Sequence, residues 1–252
     1  MRWDELASGD LNALDRTTPV ILPVAATEQH GPHLPLATDR LINEHFCREL
    51  DARMPKDVLI LPTMSVGCSE HHMEFAGSLT LEHETFIRTA EDTLKSVASH
   101  GFTRLFILNS HGGNQGIGQV IVEHLGRRLA GCQLAFASWW KLDTEALGKI
   151  SETGPGGVGH ACEFETSLIL LTAPHLVHQD RIENGGNQPT FEWAEGDLLR
   201  GAPVSLYRSM KEMTSNGAYG DPRKASVEKG EAITRVVVDA LENVVRDFQK
   251  GS

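Results

Sequence analysis

Four short apolar runs, separated by segments of helical spacing, constrain this chain more than any other feature. Residues 19–24, 58–62, 105–108 and 134–137 have the length and apolar content of buried strands. Between them lie longer helical patterns at 41–54, at 82–100 and at 116–129. The second opens on the acidic Glu82 and Glu84 and closes on Gly101. Near the C-terminus Val237, Leu241, Val244 and Phe248 recur at i, i+4, i+7 and i+11, the stripe of an amphipathic helix. Strands alternating with helices predict an α/β fold, a mainly parallel sheet with helices on its faces. Two stretches fall outside this rhythm, 151–159 and about 184–223, and loops that long in a compact domain usually carry function or subunit contacts.

Composition narrows the partners. No linker or composition shift divides the 252 residues, so one domain spanning 1–252 is expected. The formal net charge of −11 argues against nucleic acid or an anionic membrane as partner. It leaves room for a small substrate in a locally positive, metal-bearing pocket. Cys47, Cys68, Cys132 and Cys162 form no CxxC pair, which fits reduced thiols in a cytoplasmic protein rather than a disulfide framework or a cysteine-caged zinc. No apolar run reaches membrane-spanning length, and the N-terminus has no signal-peptide segment, so no membrane partner is expected.

The chemistry sits in clusters beside the strand ends. Immediately after the first run comes Glu28-Gln29-His30-Gly31-Pro32-His33-Leu34-Pro35-Leu36-Ala37-Thr38-Asp39. Asp39 alone reads as a helix cap. Capping leaves Glu28 and His30 unexplained, and alternate residues on extended chain face one way. Two carboxylates and an imidazole at a strand end are a donor set for hard-to-borderline divalent metals. The second cluster, Asn109-Ser110-His111-Gly112-Gly113-Asn114, follows the third run. It reads either as a strand-to-helix turn capped by Asn114 or as a ligand loop presenting His111. The third, His160-Ala161-Cys162-Glu163-Phe164-Glu165-Thr166-Ser167, places His160, Glu163 and Ser167 on one face if the helix begins at His160. A helix start favours one acidic residue through its dipole, and two glutamates with a His exceed that need. A fourth cluster is Ser69-Glu70-His71-His72, in which adjacent histidines cannot face the same way. Gly154 to Gly159 formally matches G-x-G-x-x-G, but no strand precedes it, and it is not read as a nucleotide site. Cys162 has no evident imidazole partner and reads as a buried, inert thiol.

Together the three motifs resemble the creatininase family of amidohydrolases. Glu70-His71 ahead of Phe75-Ala76-Gly77-Ser78, and Gly220-Asp221-Pro222 ahead of Lys229-Gly230-Glu231, extend the resemblance over nearly the whole chain. The resemblance implies a three-layer α/β/α sandwich with a dinuclear metal centre at the strand ends. Family members hydrolyse C–N bonds of cyclic or acyclic amides: creatinine ring opening, deformylation of formamidopyrimidines, cleavage of the mycofactocin precursor. By position, it implies Glu28 and His111 on one metal, His30 on the other and Asp39 bridging both. Creatininase proper has a Glu at the position of Gly113; here the remaining carboxylate is expected from the third motif, as Glu163. His160 matches the catalytic His, and Glu165 is expected to orient it or to position the helix. Gly112 stands where creatininase has an aromatic and Gly156 where it has a Trp, which argues against creatinine itself; Cys162 stands where a Gly is common and narrows the site slightly.

The resulting expectation is an amidohydrolase with two divalent ions, zinc, manganese or iron, that activate water and polarise an amide carbonyl while His160 protonates the leaving nitrogen. Its substrate is a small amide, with His33, Ser69, His71, Gly112, Trp139 and Trp140 around it. A metal-dependent sugar or polyol isomerase and a non-catalytic metal-binding subunit are the alternatives, separated by whether amine or carboxylate is released. The resemblance also implies a homo-oligomer, up to a hexamer.

Overall fold

The computed structural model describes residues 1–251. After a first short helix, α1 (Ser8–Ala13), come β1 (Val20–Val24), α2 (Thr38–Arg53), β2 (Leu59–Ile60), α3 (His83–Ser99), β3 (Arg104–Asn109), α4 (Gln115–Gly126) and β4 (Gln133–Ser138). Four further helices follow: α5 (Thr144–Ile150), α6 (Glu163–Thr172), the single turn α7 (Met210–Met213) and the long α8 (Val227–Lys250). Among the described residues the strands form one sheet in the order β2-β1-β3-β4, every pair parallel.

Successive side chains of a strand point to opposite faces, and both faces here are apolar. Ile21 of β1 and Phe106 and Leu108 of β3 join one core with Phe46 and Leu50 of α2, Leu168 of α6 and Val237 and Leu241 of α8. Val20, Leu22, Leu105 and Ile107 join the opposite core with Phe86 and Leu94 of α3 and Ile121 and Leu125 of α4. Two cores on one parallel sheet make three layers, and the strands read as unbroken apolar runs because neither face meets water.

The expected elements are present with small shifts at their ends. The run at 58–62 is the exception, since only Leu59 and Ile60 form strand. The Leu61 amide still donates to the Ile21 carbonyl at 2.9 Å. Beyond it Pro62 and the opposing Pro23 lack amide hydrogens, so the ladder stops. The third motif also starts differently from expectation. His160 lies outside α6 and exchanges two backbone hydrogen bonds with Tyr219, at 2.7 and 2.8 Å.

Because the strands are parallel, their carboxyl ends lie together. The chain leaves β1 toward Glu28 and His30, leaves β3 toward His111 and leaves β4 toward Trp139 and Trp140. In open α/β sheets this edge is where sites form.

Candidate metal centre

Polar side chains sew the strand tips together before any chemistry is added. The Asn43 amide of α2 donates to the Val24 carbonyl at 3.0 Å and to the Leu108 carbonyl at 2.9 Å. Asn109 donates to the His111 carbonyl at 2.7 Å and accepts from the His111 amide at 3.0 Å. Asn114 accepts from the Cys68 amide at 3.0 Å and donates to the Ala25 carbonyl at 3.2 Å. Asn114 thus serves as a crosslink between loops, and its side chain makes no cap to α4.

On this frame Glu28, His30, Asp39, His111 and Glu165 converge, all buried. Asp39 divides its carboxylate between two imidazoles. Oδ1 lies 3.1 Å from His30 Nε2 and Oδ2 lies 3.3 Å from His111 Nδ1. Glu28 Oε1 is 3.1 Å from His111 Nδ1, and Glu165 Oε1 is 3.9 Å from His30 Nε2. Each imidazole therefore faces one private carboxylate and one half of Asp39.

The outer nitrogens are already committed. His30 Nδ1 donates to the Glu28 carbonyl at 3.0 Å, and His111 Nε2 donates to the Cys68 carbonyl at 3.1 Å. Each inner nitrogen is the one turned to the carboxylates, and it offers a lone pair once a cation replaces its proton, the arrangement a metal-ligating histidine adopts. Both oxygens of Glu28 and Oδ2 of Asp39 are buried and complete no hydrogen bond. A buried carboxylate oxygen without a partner is costly unless a cation meets it. Three groups have donor atoms within 4.8 Å of one another: Glu28 with Asp39 and His111, His30 with Glu165 and His160, and Glu28 with His72 and His160. The residues present fit divalent cations.

Electrostatics point the same way. Burial opposes charge on His30, but Asp39, Glu165 and Glu28 raise its pKa to about 9. His111 is likewise held well above the usual imidazole range, burial being outweighed by Glu28 and Asp39. Burial and the neighbouring carboxylates Asp39 and Glu28 push Glu165 up to about 7, against the pull of His30. The cluster binds protons on its imidazoles because it demands positive charge.

His160 stands beside these groups with its ring centroid 4.2 Å from that of His30. Its Nε2 donates to the Gln29 carbonyl at 2.6 Å, and its Nδ1 faces Glu28 at 3.7 Å. Burial first, then the charge on His30, lowers its pKa well below the ordinary value, so the ring is neutral. Ala161, next in the chain, holds a left-handed φ of 51°. That conformation costs a non-glycine residue about 1–2 kcal/mol. It is held from both sides: the Ala161 amide donates to Glu165 Oε2, and His160 is bridged to Tyr219.

Glu163 is the main correction. It lies in the first turn of α6 and its carboxylate points away from the cluster. It accepts from Ser151 Oγ at 3.2 Å, the Glu152 amide at 3.1 Å and Thr153 Oγ1 at 2.7 Å, and it pairs with Lys229 Nζ. Glu165, expected only to orient His160 or position the helix, is the carboxylate that reaches His30. Gly113 shows why a glutamate there is not an option: a β-carbon would lie 2.2 Å from the Cys68 carbonyl oxygen and 2.4 Å from His111 Nε2.

The residues expected around a substrate separate into two sets. His71, Gly112 and Trp140 line a cleft of about 570 Å³ that opens onto the cluster. His33, Ser69 and Trp139 do not line it. His33 is buried with its Nε2 2.8 Å from Thr166 Oγ1, Ser69 Oγ lies 3.4 Å from His111 Nε2, and Trp139 packs against Phe46 in the core. Cys162 is buried and its thiol is pushed up to about 12, as an inert thiol requires.

His72 is the participant that sequence alone did not assign. Its Nδ1 accepts from the Gln29 amide at 2.9 Å, which directs Nε2–H at Glu28 Oε1, 3.3 Å away. The doublet His71-His72 signalled that one ring faces inward, without saying which.

Comparison with known proteins gives the family. The family model for creatininase, described as creatinine amidohydrolase, matches residues 1–245. The chain belongs to the creatininase family. It is 30% identical over 244 residues to the mycofactocin precursor peptide peptidase of Mycobacterium tuberculosis, covering 93% of this chain and 88% of that protein. It is 29% identical over 245 residues to the creatinine amidohydrolase of Pseudomonas putida, covering 90% and 88%. A solved creatininase in a manganese form superposes with a TM-score of 0.81 at 26% identity over 97% of both chains. The chain is thus a creatininase-family metal-dependent amidohydrolase, a hydrolase acting on C–N bonds.

Proposed function

We propose that this enzyme uses two divalent cations, zinc, manganese or iron, to hydrolyse the C–N bond of a small cyclic or acyclic amide. One observation carries the reading: Asp39 presents one oxygen to each of two histidines, and each histidine has its own carboxylate. Glu28, His111 and one oxygen of Asp39 would hold the first cation; His30, Glu165 and the other oxygen would hold the second. When bound, the cations supply Lewis acidity that acidifies water and polarises the amide carbonyl. His160 is neutral and its one N–H is held on the Gln29 carbonyl, so Nδ1 offers a lone pair. There it would take a proton from the attacking water and pass it to the leaving nitrogen. His72 and Gln29 hold Glu28 and His160 in register, and Glu165 fixes the Ala161 backbone that precedes α6.

The substrate need not resemble creatinine. A cleft of about 570 Å³ accepts a drug-sized molecule, and Gly112 leaves open the space an aromatic would fill, since a β-carbon there meets nothing within 4 Å. The peptidase named among the relatives favours a substrate larger than a single ring. We place the enzyme in the cytoplasm as one catalytic unit, in keeping with four free cysteines.

The test is a comparison of two variants by elemental analysis and turnover. Wild type should carry about two divalent ions per chain. Asp39→Ala should lose both ions and all activity. His160→Ala should keep its metal, while turnover falls by roughly 10²–10⁴, the worth of a positioned general acid. Saturation at one ion per chain would sink the dinuclear reading, and metal loss in His160→Ala would make His160 a ligand.

A further inference from the structure

Beyond the metal cluster the cleft has two characters. Trp140, Leu198, Leu206, Met210 and Met213 give it an apolar wall. Arg208 is the only lysine or arginine among the described lining residues. Of the acids outside the cluster, Asp197 is already engaged, accepting from the amides of Gly156, Leu199 and Arg200 at 2.8 to 3.0 Å. Glu70 is exposed at the rim.

Arg208 is half-buried, and in a chain with 34 acidic residues it has no carboxylate within ion-pairing distance among the described residues. One guanidinium nitrogen donates to the Glu212 carbonyl, which holds the side chain in place and leaves the rest of the fork free. Tyr219 lines the same cleft. Burial pushes its phenol pKa up, against the charge on Arg208 and together with Glu195 and Asp197. The phenol oxygen has no hydrogen-bond partner among the described residues. Tyr219 also exchanges both backbone hydrogen bonds with His160, and directly paired residues of an antiparallel bridge project to the same side. The phenol and the imidazole therefore share one face of the cleft.

We infer that Arg208 and Tyr219 form a carboxylate-binding corner, and that the substrate is an amide bearing a free carboxylate beside an apolar group, the chemistry of an N-acyl amino acid. The inference rests on the amidohydrolase reading for the reaction but concerns a different part of the cleft. A guanidinium fork and a phenolic O–H offer the donors a carboxylate accepts. One cationic side chain matches a monoanion, and the three carboxylates of the metal cluster disfavour a more highly charged group. The apolar wall then takes the side chain, with the amide between this corner and the metal cluster.

The test uses calorimetric titration of the metal-loaded enzyme with N-acetyl-L-leucine and with its neutral isostere N-acetyl-L-leucinamide. Wild type should bind the carboxylate about tenfold to a hundredfold more tightly, the worth of one charge-assisted pair. Arg208→Gln should reduce that preference to about threefold or less. Arg208→Lys should keep part of it, because the charge remains and the fork is lost. Tyr219→Phe should reduce it severalfold. Equal affinity for the two ligands in wild type, including no binding of either, would overturn the inference. So would a preference that survives Arg208→Gln, since the anion would then sit on the cations. Metal content measured on the same samples separates this result from the dinuclear reading: fewer than two ions per chain counts against the latter alone.

Discussion

Glu163 and Glu165 stand two positions apart, which on a helix is a rotation of about 200°. They cannot serve the same site. In the structure Glu165 reaches His30, whereas Glu163 ties residues 151–153 to Lys229. Their variants should fail differently. Glu165→Gln should lower metal content to about one ion per chain and abolish turnover, with little loss of fold stability. Glu163→Gln should retain two ions but lose about 1–2 kcal/mol in urea unfolding, because it weakens a buried hydrogen-bonded clamp while Glu152, 2.8 Å from Lys229 Nζ, still pairs with that lysine. If Glu163→Gln stripped a metal instead, the assignment of the two glutamates would reverse. The sequence marked this turn as rich in acids, but not which acid faces inward. That choice depends on where α6 starts, which is set by the pairing of His160 with Tyr219, some sixty residues away in the chain.

At the scale of elements, α2 acts as the clasp of the sheet. Asn43 reaches from α2 to the last carbonyl of β1 and the penultimate carbonyl of β3, so the tips carrying Glu28 and His111 are held by one amide. Asn43→Ala should cost about 2 kcal/mol, the price of a buried hydrogen bond left unmade. It should also weaken metal binding measured by titration, since the two loops would no longer be held at a fixed spacing. Unchanged metal affinity would show that the loops hold themselves. The layers of the fold were legible in advance because a two-faced parallel sheet writes unbroken apolar runs into its strands. His30, His111, Glu28 and Asp39 were legible because each directly follows a strand or opens a helix. His72 and Arg208 were not, because irregular segments carry no periodicity from which a side chain's direction can be read.

For the whole molecule, the buried charge cluster couples metal binding to stability. Three carboxylates packed together at the sheet edge repel one another until cations arrive, so the metal-free protein should be the less stable form. Manganese at 100 times its dissociation constant should contribute about 2.7 kcal/mol per site, which raises the melting temperature on the order of 5–10 °C per site for a chain of this size. A scanning-calorimetry trace that is unchanged by chelator would contradict this. The outer surface bears on assembly. Phe191 and Trp193 stack at 4.7 Å on the segment that runs from residue 184 to 223, and Phe191 and Tyr207 are 60% and 76% exposed. This favours a homo-oligomer, a hexamer among the options, and light scattering at micromolar concentration should return a multiple of the 27.6 kDa chain. The crowding at Gly113 bears on lineage. A descendant that acquired a glutamate there would displace the Cys68 carbonyl that orients His111, and one that lost Glu165 first would be a ligand short. Neither order passes through a working enzyme, so the source of this carboxylate should be inherited as a block, and residues 113 and 165 together should sort relatives into branches that do not interconvert by single substitutions.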